Sequence, residues 1–171
     1  KHADACFGDA LDAILFMVGE KSSLYTEIFG DYGAFIANKG NANNDFALYS
    51  DADEILSHNL MARRETFGDN HPLVADAMQY IALLLIYRGQ IEEALALMKD
   101  GVLPGLEASV GNKHPKTLYV GGCVGSCLIA VAQMEGGEMS EAHQKMYTSG
   151  IEIIKSALNF LRQYPSGKFV P

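Results

Sequence analysis

The stretch Thr66–Met98, TFGDNHPLVADAMQYIALLLIYRGQIEEALALM, begins with Gly68-Asp69-Asn70-His71-Pro72. A near copy, Gly111-Asn112-Lys113-His114-Pro115, follows forty-three residues on. Glycine suits the left-handed residue that closes a helix, and proline suits the first helical turn, where a missing N–H costs no hydrogen bond. Gly-x-x-His-Pro therefore reads as a helix stop followed at once by a helix start. Asp69, Asn70 and Asn112 are turn or capping residues in this reading, and His71 and His114 are structural. The motif needs no catalytic histidine.

Working outward, Val74, Ala77, Met78, Ile81 and Leu85 recur at the spacing that keeps one helical face apolar, and Gly89 ends the run. Leu83, Leu84, Ile86 and Tyr87 make the last turns apolar nearly all round, so this helix must be covered on more than one side. A second set, Ile91, Ala94, Leu95, Met98 and Val102, completes a helical hairpin. Superposing His114-Pro115 on His71-Pro72 pairs Ile81-Ala82 with Val124-Gly125 and Leu85 with Leu128. The second unit then runs from Pro115 to about Met134 and continues in a long helix with Met139, Ala142, Met146, Gly150, Ile153, Ile154, Ala157 and Leu161 on one stripe.

Upstream, Tyr49–Gly68 supplies the second helix of an earlier hairpin, with Ala52, Ile55, Leu56, Leu60 and Phe67 facing inward. The run ANKGNANND, residues 37–45, is expected to be a loop, and residues 3–37 helical without a clean hairpin signature. Pro104 and Gly105 are expected to kink the helix that leads to Gly111. The expected organisation is N-terminal helices and an Asn/Gly loop over 1–45, with a degenerate repeat as one reading of that region. A repeat array over 46–163 and an extended tail over 164–171 follow.

From Tyr49 to about Leu158 the chain resembles the tetratricopeptide repeats of the kinesin light chain type, whose units read approximately as helix, Gly, Tyr-x-Glu-Ala, helix, Leu-Gly-x-x-His-Pro. The Pro104-Gly105 unit is one residue longer than usual, and no Gly-x-x-His-Pro follows the last hairpin. The resemblance implies an all-α, right-handed superhelical array of about three antiparallel helix hairpins, with extra N-terminal helices. It also implies that the first helix of each hairpin lines a concave groove that holds a segment of another protein.

Helical geometry alone, at about 100° per residue, places Asp76, Gln79, Tyr80, Leu83, Ile86 and Tyr87 opposite the apolar stripe of the first unit. Aromatic anchors mixed with hydrogen-bonding groups are what a peptide groove needs. The equivalent face of the next unit, Tyr119, Gly122, Cys123, Ser126, Ile129 and Ala130, is small and smooth. It suits either the close approach of a partner or tight packing within the array. Of the second set, Tyr119, Gly122, Ser126 and Ile129 complete the candidate partner-binding face.

Other functions find little support. A net charge of −8 with only 13 Lys and Arg opposes nucleic acid. Three cysteines are too few and too odd a set for a secreted disulfide framework, which points to an intracellular protein, cytoplasmic or organellar. A start at Lys1 leaves room for a removed targeting segment. Residues 117–134 carry no charge and include Gly121-x-x-x-Gly125, but their Gly, Thr, Ser and Gln content favours a buried helix over a membrane span. Cys123 and Cys127, with His114 or His143, could share a metal, yet without a second close pair they read as packing residues. Asp51, Asp53, Glu54, Glu92 and Glu93 suit helix starts, and Arg63 and Arg64 suit a helix end. No catalytic signature is present, so no enzyme activity, cofactor or metal is expected. The expectation is a non-catalytic protein-interaction module or scaffold, with a constitutive structural or linker subunit of a large assembly as the alternative. The irregular ends and the smooth glycine-rich face favour the alternative.

Overall fold

The two hinges share one geometry. Gly68 has φ 79°, ψ 159° and Gly111 has φ 91°, ψ 159°, a region essentially reserved for glycine, rather than the left-handed helical conformation expected. The proline pushes the histidine before it toward extended backbone, and His71 sits at φ −80°, ψ 142°. That is an N-cap conformation, and the His71 Nδ1 accepts the Leu73 N–H at 3.2 Å, as the His114 Nδ1 accepts the Lys116 N–H at 3.2 Å. Each histidine thus satisfies a donor that the first helical turn leaves open. Stacking on Phe67, with ring centroids 4.7 Å apart, further fixes the His71 ring.

The computed structural model describes residues 2–134 and 139–163, so the tail expected over 164–171 lies outside the described residues. Among the described residues every regular element is a helix and there are no strands, and the chain divides into two compact units, 1–89 and 90–171. The division falls at Gly89, between the two helices that the sequence reads as the middle hairpin.

The first unit holds α1 (His2–Val18), α2 (Ser23–Asn43), α3 (Phe46–Phe67) and α4 (Pro72–Tyr87). The Asn/Gly run is no loop: residues 37–43 continue α2, and the turn is only Asn44, in left-handed conformation, and Asp45, which caps α3 through the Ala47 N–H. Tertiary packing overrides the loop propensity of this run. Thr26, Gly30, Gly33, Ala37 and Gly40 form a buried stripe of small residues on α2, and α3 lies against it. A Cβ on Gly33 would stand 2.6 Å from Leu56 Cδ2, and one on Gly40 would stand 3.0 Å from Tyr49 Cδ1. Ile36, Ala37, Tyr49, Ala52, Leu56 and Leu84 form the core, and burying each larger member contributes roughly 1.5–3 kcal/mol. Every residue of α4 is buried or half-buried, as its all-round apolar sequence requires.

Polar staples complete this unit. The buried Arg63 guanidinium of α3 donates to the Thr26 carbonyl of α2 at 2.9 Å and to the Leu73 carbonyl of α4 at 2.6 Å. Asn59, one turn earlier and fully buried, donates to the same Thr26 carbonyl at 2.5 Å. Burial pulls the Arg63 pKa down, and the carboxylate of Asp76 opposes that shift most, with Tyr80, Glu27 and Asp31 adding to it. Arg63 is therefore a core residue, not the dipole-matched surface cation that its sequence position suggests. At the other end of α4, Arg88 pairs with Asp53 at 3.0 Å and donates to the Tyr49 carbonyl at 2.9 Å.

The second unit holds α5 (Ile91–Leu97), a π turn (Met98–Val102), α6 (Leu103–Val110), α7 (Pro115–Met134) and α8 (Glu141–Gln163). The interruption expected at Pro104 takes the form of the π turn: the Leu103 N–H donates back to Met98 O, five residues away, and the helix continues into α6. A wider turn accommodates the additional residue and the missing proline donor without ending the helix. It also corrects the phase. Ala94, Met98, Val102 and Leu106, each four residues apart, would drift about 40° per step on a regular helix, yet all four are buried. They line the rod that packs on α7.

Helices α7 and α8 pair through their glycines. A Cβ on Gly125 would lie 2.7 Å from the Gly150 carbonyl oxygen, and one on Gly150 would lie 2.5 Å from the Gly125 carbonyl oxygen. The two backbones touch at this crossing. Among the described residues, α7 is the one helix long and apolar enough, by length and composition, to cross a membrane. Within its unit its buried stripe, Thr117, Val120, Gly121, Val124, Gly125, Cys127, Val131 and Ala132, packs on α5, α6 and α8. Ser140 caps α8, its hydroxyl accepting the His143 N–H at 3.2 Å.

Candidate partner-binding site

The ten candidate residues fall on two surfaces, one in each unit. On α4, Asp76, Gln79, Tyr80, Leu83, Ile86 and Tyr87 are all half-buried. Helix α2 covers part of this face: the Tyr80 hydroxyl donates to Asp31 Oδ1 at 2.6 Å and the Tyr87 hydroxyl donates to Asn38 Oδ1 at 2.6 Å. Burial, followed by the Asp31 hydrogen bond, pushes the Tyr80 phenol well above its ordinary pKa. Burial also raises that of Tyr87. Both phenols stay protonated as donors, and both pack on the core of the first unit. The aromatic anchors of this face therefore serve the fold first, and what remains for a partner is their edges.

The α7 face is different. Tyr119, which is 61 % exposed, joins Gly122, Cys123 and Ser126 along one wall of a shallow groove, and Leu118 lies beside them. Ile154, Ala157 and Leu158 of α8 form the other wall, around a volume of about 290 Å³. A Cβ placed on Gly122 would meet nothing within 4 Å. That separates it from Gly125, one turn on, which is occupied by Gly150. The Ser126 hydroxyl donates to the Gly122 carbonyl at 3.0 Å. The groove is therefore apolar, with Tyr119 at its rim and polar groups few.

Ile129 does not line this groove. Its Cγ1 lies 2.9 Å from where a Gly150 Cβ would be, so it packs over the α7–α8 crossing. The α8 wall is absent from the sequence-based candidates, although Ile154, Ala157 and Leu158 follow one another at i, i+3 and i+4 and thus share a helical face. Burial raises the Cys123 and Cys127 thiols, with a Tyr119 hydrogen bond partly offsetting the shift at Cys123. Neither is a ready thiolate nucleophile at neutral pH. Among the described residues no group of three or more His, Cys, Asp and Glu side chains is placed to hold a metal ion. Compared with protein-family models and with curated proteins, the chain matches none.

Proposed function

We propose that this chain is a non-catalytic protein-interaction module whose hairpins stack as a tetratricopeptide-like, right-handed array and hold a segment of a protein partner. The observation that carries this reading is the open α7–α8 groove. Three of the four candidate residues on α7 line it, and its glycine, Gly122, faces space that nothing in the unit fills. Glycine inside a helix costs roughly 1 kcal/mol relative to alanine. Close approach of a partner backbone is a use for it. The half-buried tyrosine edges on α4 offer hydrogen-bonding and aromatic surface of the kind that sets register in peptide recognition.

The test begins with the protein as it leaves its own cells: gentle size separation, identification of what co-migrates, and binding measurements on that partner with Gly122→Trp. Because Gly122 faces open space, the variant folds, and partner affinity is expected to fall at least about tenfold, or about 1.4 kcal/mol. Unchanged affinity in the folded variant rejects the groove. A second reading, a permanent subunit of a larger assembly, is favoured by the apolar tip of α1, where Leu15, Phe16, Met17 and Val18 are exposed together. A partner that survives dilution supports that version.

A further inference from the structure

The outward face of α1 is thinly covered. Among its described side chains only Ile14 is buried, and Phe7 and the Asp4–Lys39 ion pair tie it to α2. Its last turn exposes Leu15 by 46 %, Phe16 by 93 %, Met17 by 68 % and Val18 by 55 %, and Leu24 across the turn is exposed by 46 %. Single exposed apolar residues are ordinary, but contiguous ones mark interaction surfaces.

Charge says what kind of partner fits. Asp9, Asp12 and Phe16 stand at i, i+3 and i+7 and so share one face, and both carboxylates are exposed. Asp12 and Glu20 each add to the rise that burial imposes on the Tyr25 phenol, so both stand near the α1–α2 turn and its apolar tip. Of the described cations near this face, Lys39 is held by Asp4, and Lys21 lines a hollow of about 250 Å³ together with Glu20, Glu65 and His58, whose ring stands 3.9 Å from Glu20. A two-fold pairing of this face with its axis near Asp9 and Asp12 would set these carboxylates against each other, and an anionic bilayer is opposed by their charge. We infer that the outward face of α1 docks a basic amphipathic helix of a different protein, with Phe16 and Met17 entering its apolar stripe and its Lys or Arg side chains facing Asp9 and Asp12. The inference rests on the chain being a protein-interaction module, at a surface separate from the α7–α8 groove.

The probes are two synthetic amphipathic helical peptides with one shared leucine stripe, flanked by Lys in one and by Glu in the other, titrated calorimetrically into the full chain. The Lys peptide is expected to bind at least about tenfold more tightly than the Glu peptide, with a further loss of about tenfold in the Asp9→Asn/Asp12→Asn variant and in 0.5 M salt. Phe16→Ser, at a side chain almost wholly exposed, keeps the fold and abolishes binding. Equal affinity for the two peptides overturns the inference, as does binding that survives Phe16→Ser. So does self-association, or uptake on neutral phospholipid vesicles, that Phe16→Ser removes. Gly122→Trp must leave the Lys peptide affinity unchanged. Its loss there assigns the binding to the groove, overturning the α1 docking face while the groove reading stands.

Discussion

The α2–α3 and α7–α8 hairpins both use glycine to bring helices close, but what enters the space differs. On α2 the glycines receive side chains: Leu56 at Gly33, Tyr49 at Gly40, and Asn59 with Arg63 at Gly30. On α7 the partner of Gly125 is the backbone of Gly150. Side chains can shift by a few tenths of an ångström, whereas a carbonyl within a helix cannot move without its turn. The first hairpin is further fixed by buried polar bonds from Arg63 and Asn59, while at the second crossing apolar side chains, Leu128, Ile129 and Ile154, close around the touching backbones. The same residue type thus marks an adaptable joint in one unit and a rigid joint in the other.

The largest expected effect comes from removing the Arg63 staple of the first unit. Arg63→Ala should destabilise that unit by about 3–5 kcal/mol, because charge-assisted bonds are lost and Asp76, Glu27 and Asp31 lose their cation. Denaturant unfolding followed by amide exchange in α2–α4 measures this, and Arg63→Met separates the bonds from the volume. Next, Gly125→Ala and Gly150→Ala should each cost about 2–3 kcal/mol, against about 1 kcal/mol for Gly30→Ala, where the Asn59, Arg63 and Tyr80 side chains at 3.1–3.3 Å need give only slightly. Equal costs would erase the distinction between rigid and adaptable joints.

Smaller effects test the hinges and the open glycine. His71→Ala and His114→Ala should each lose about 1 kcal/mol, whereas His→Asn, which supplies another short acceptor at the N-cap, should retain most of it. Retention by alanine would show that Gly68 and Pro72 suffice. Gly122→Ala should change sign relative to its neighbour Gly125 and stabilise by about 0.5–1 kcal/mol, since only helix propensity is at stake. Finally, the Tyr80 phenol ionises in the unfolded chain near its ordinary pKa, about 10, but is held protonated in the fold. Its contribution is whole below that pH and is lost as pH rises through the higher folded value. A stability profile from pH 9 upward should fall less steeply in Tyr80→Phe.

The hinge motifs show how much a local signal can carry. Gly68, Gly111, Pro72 and Pro115 announced the helix boundaries, because their backbone constraints act within a few residues. The inward stripe of α3 was partly legible. Ala52, Leu56, Asn59 and Arg63 recur at core spacing, but the last two are polar and give no apolar signal, while Ile55 packs at the edge of the same core. On the candidate site, Tyr119, Gly122 and Ser126 share a helical face that is legible in the sequence and line one groove in the fold, whereas Ile129 packs over the α7–α8 crossing and the facing wall comes from α8, distant in sequence.

The residues by themselves determined that the chain is helical, where its hinges lie, and which helix faces are small or apolar, because periodicity and φ preferences belong to each residue and its near neighbours. The tertiary structure decided the rest. Residues 37–43 are helical because α3 packs on their small face, Arg63 is central because two carbonyls from different helices meet it, and Gly122 is open while Gly125 is filled. Which face of a helix meets a neighbour depends on residues distant in sequence, and only the folded chain brings them together.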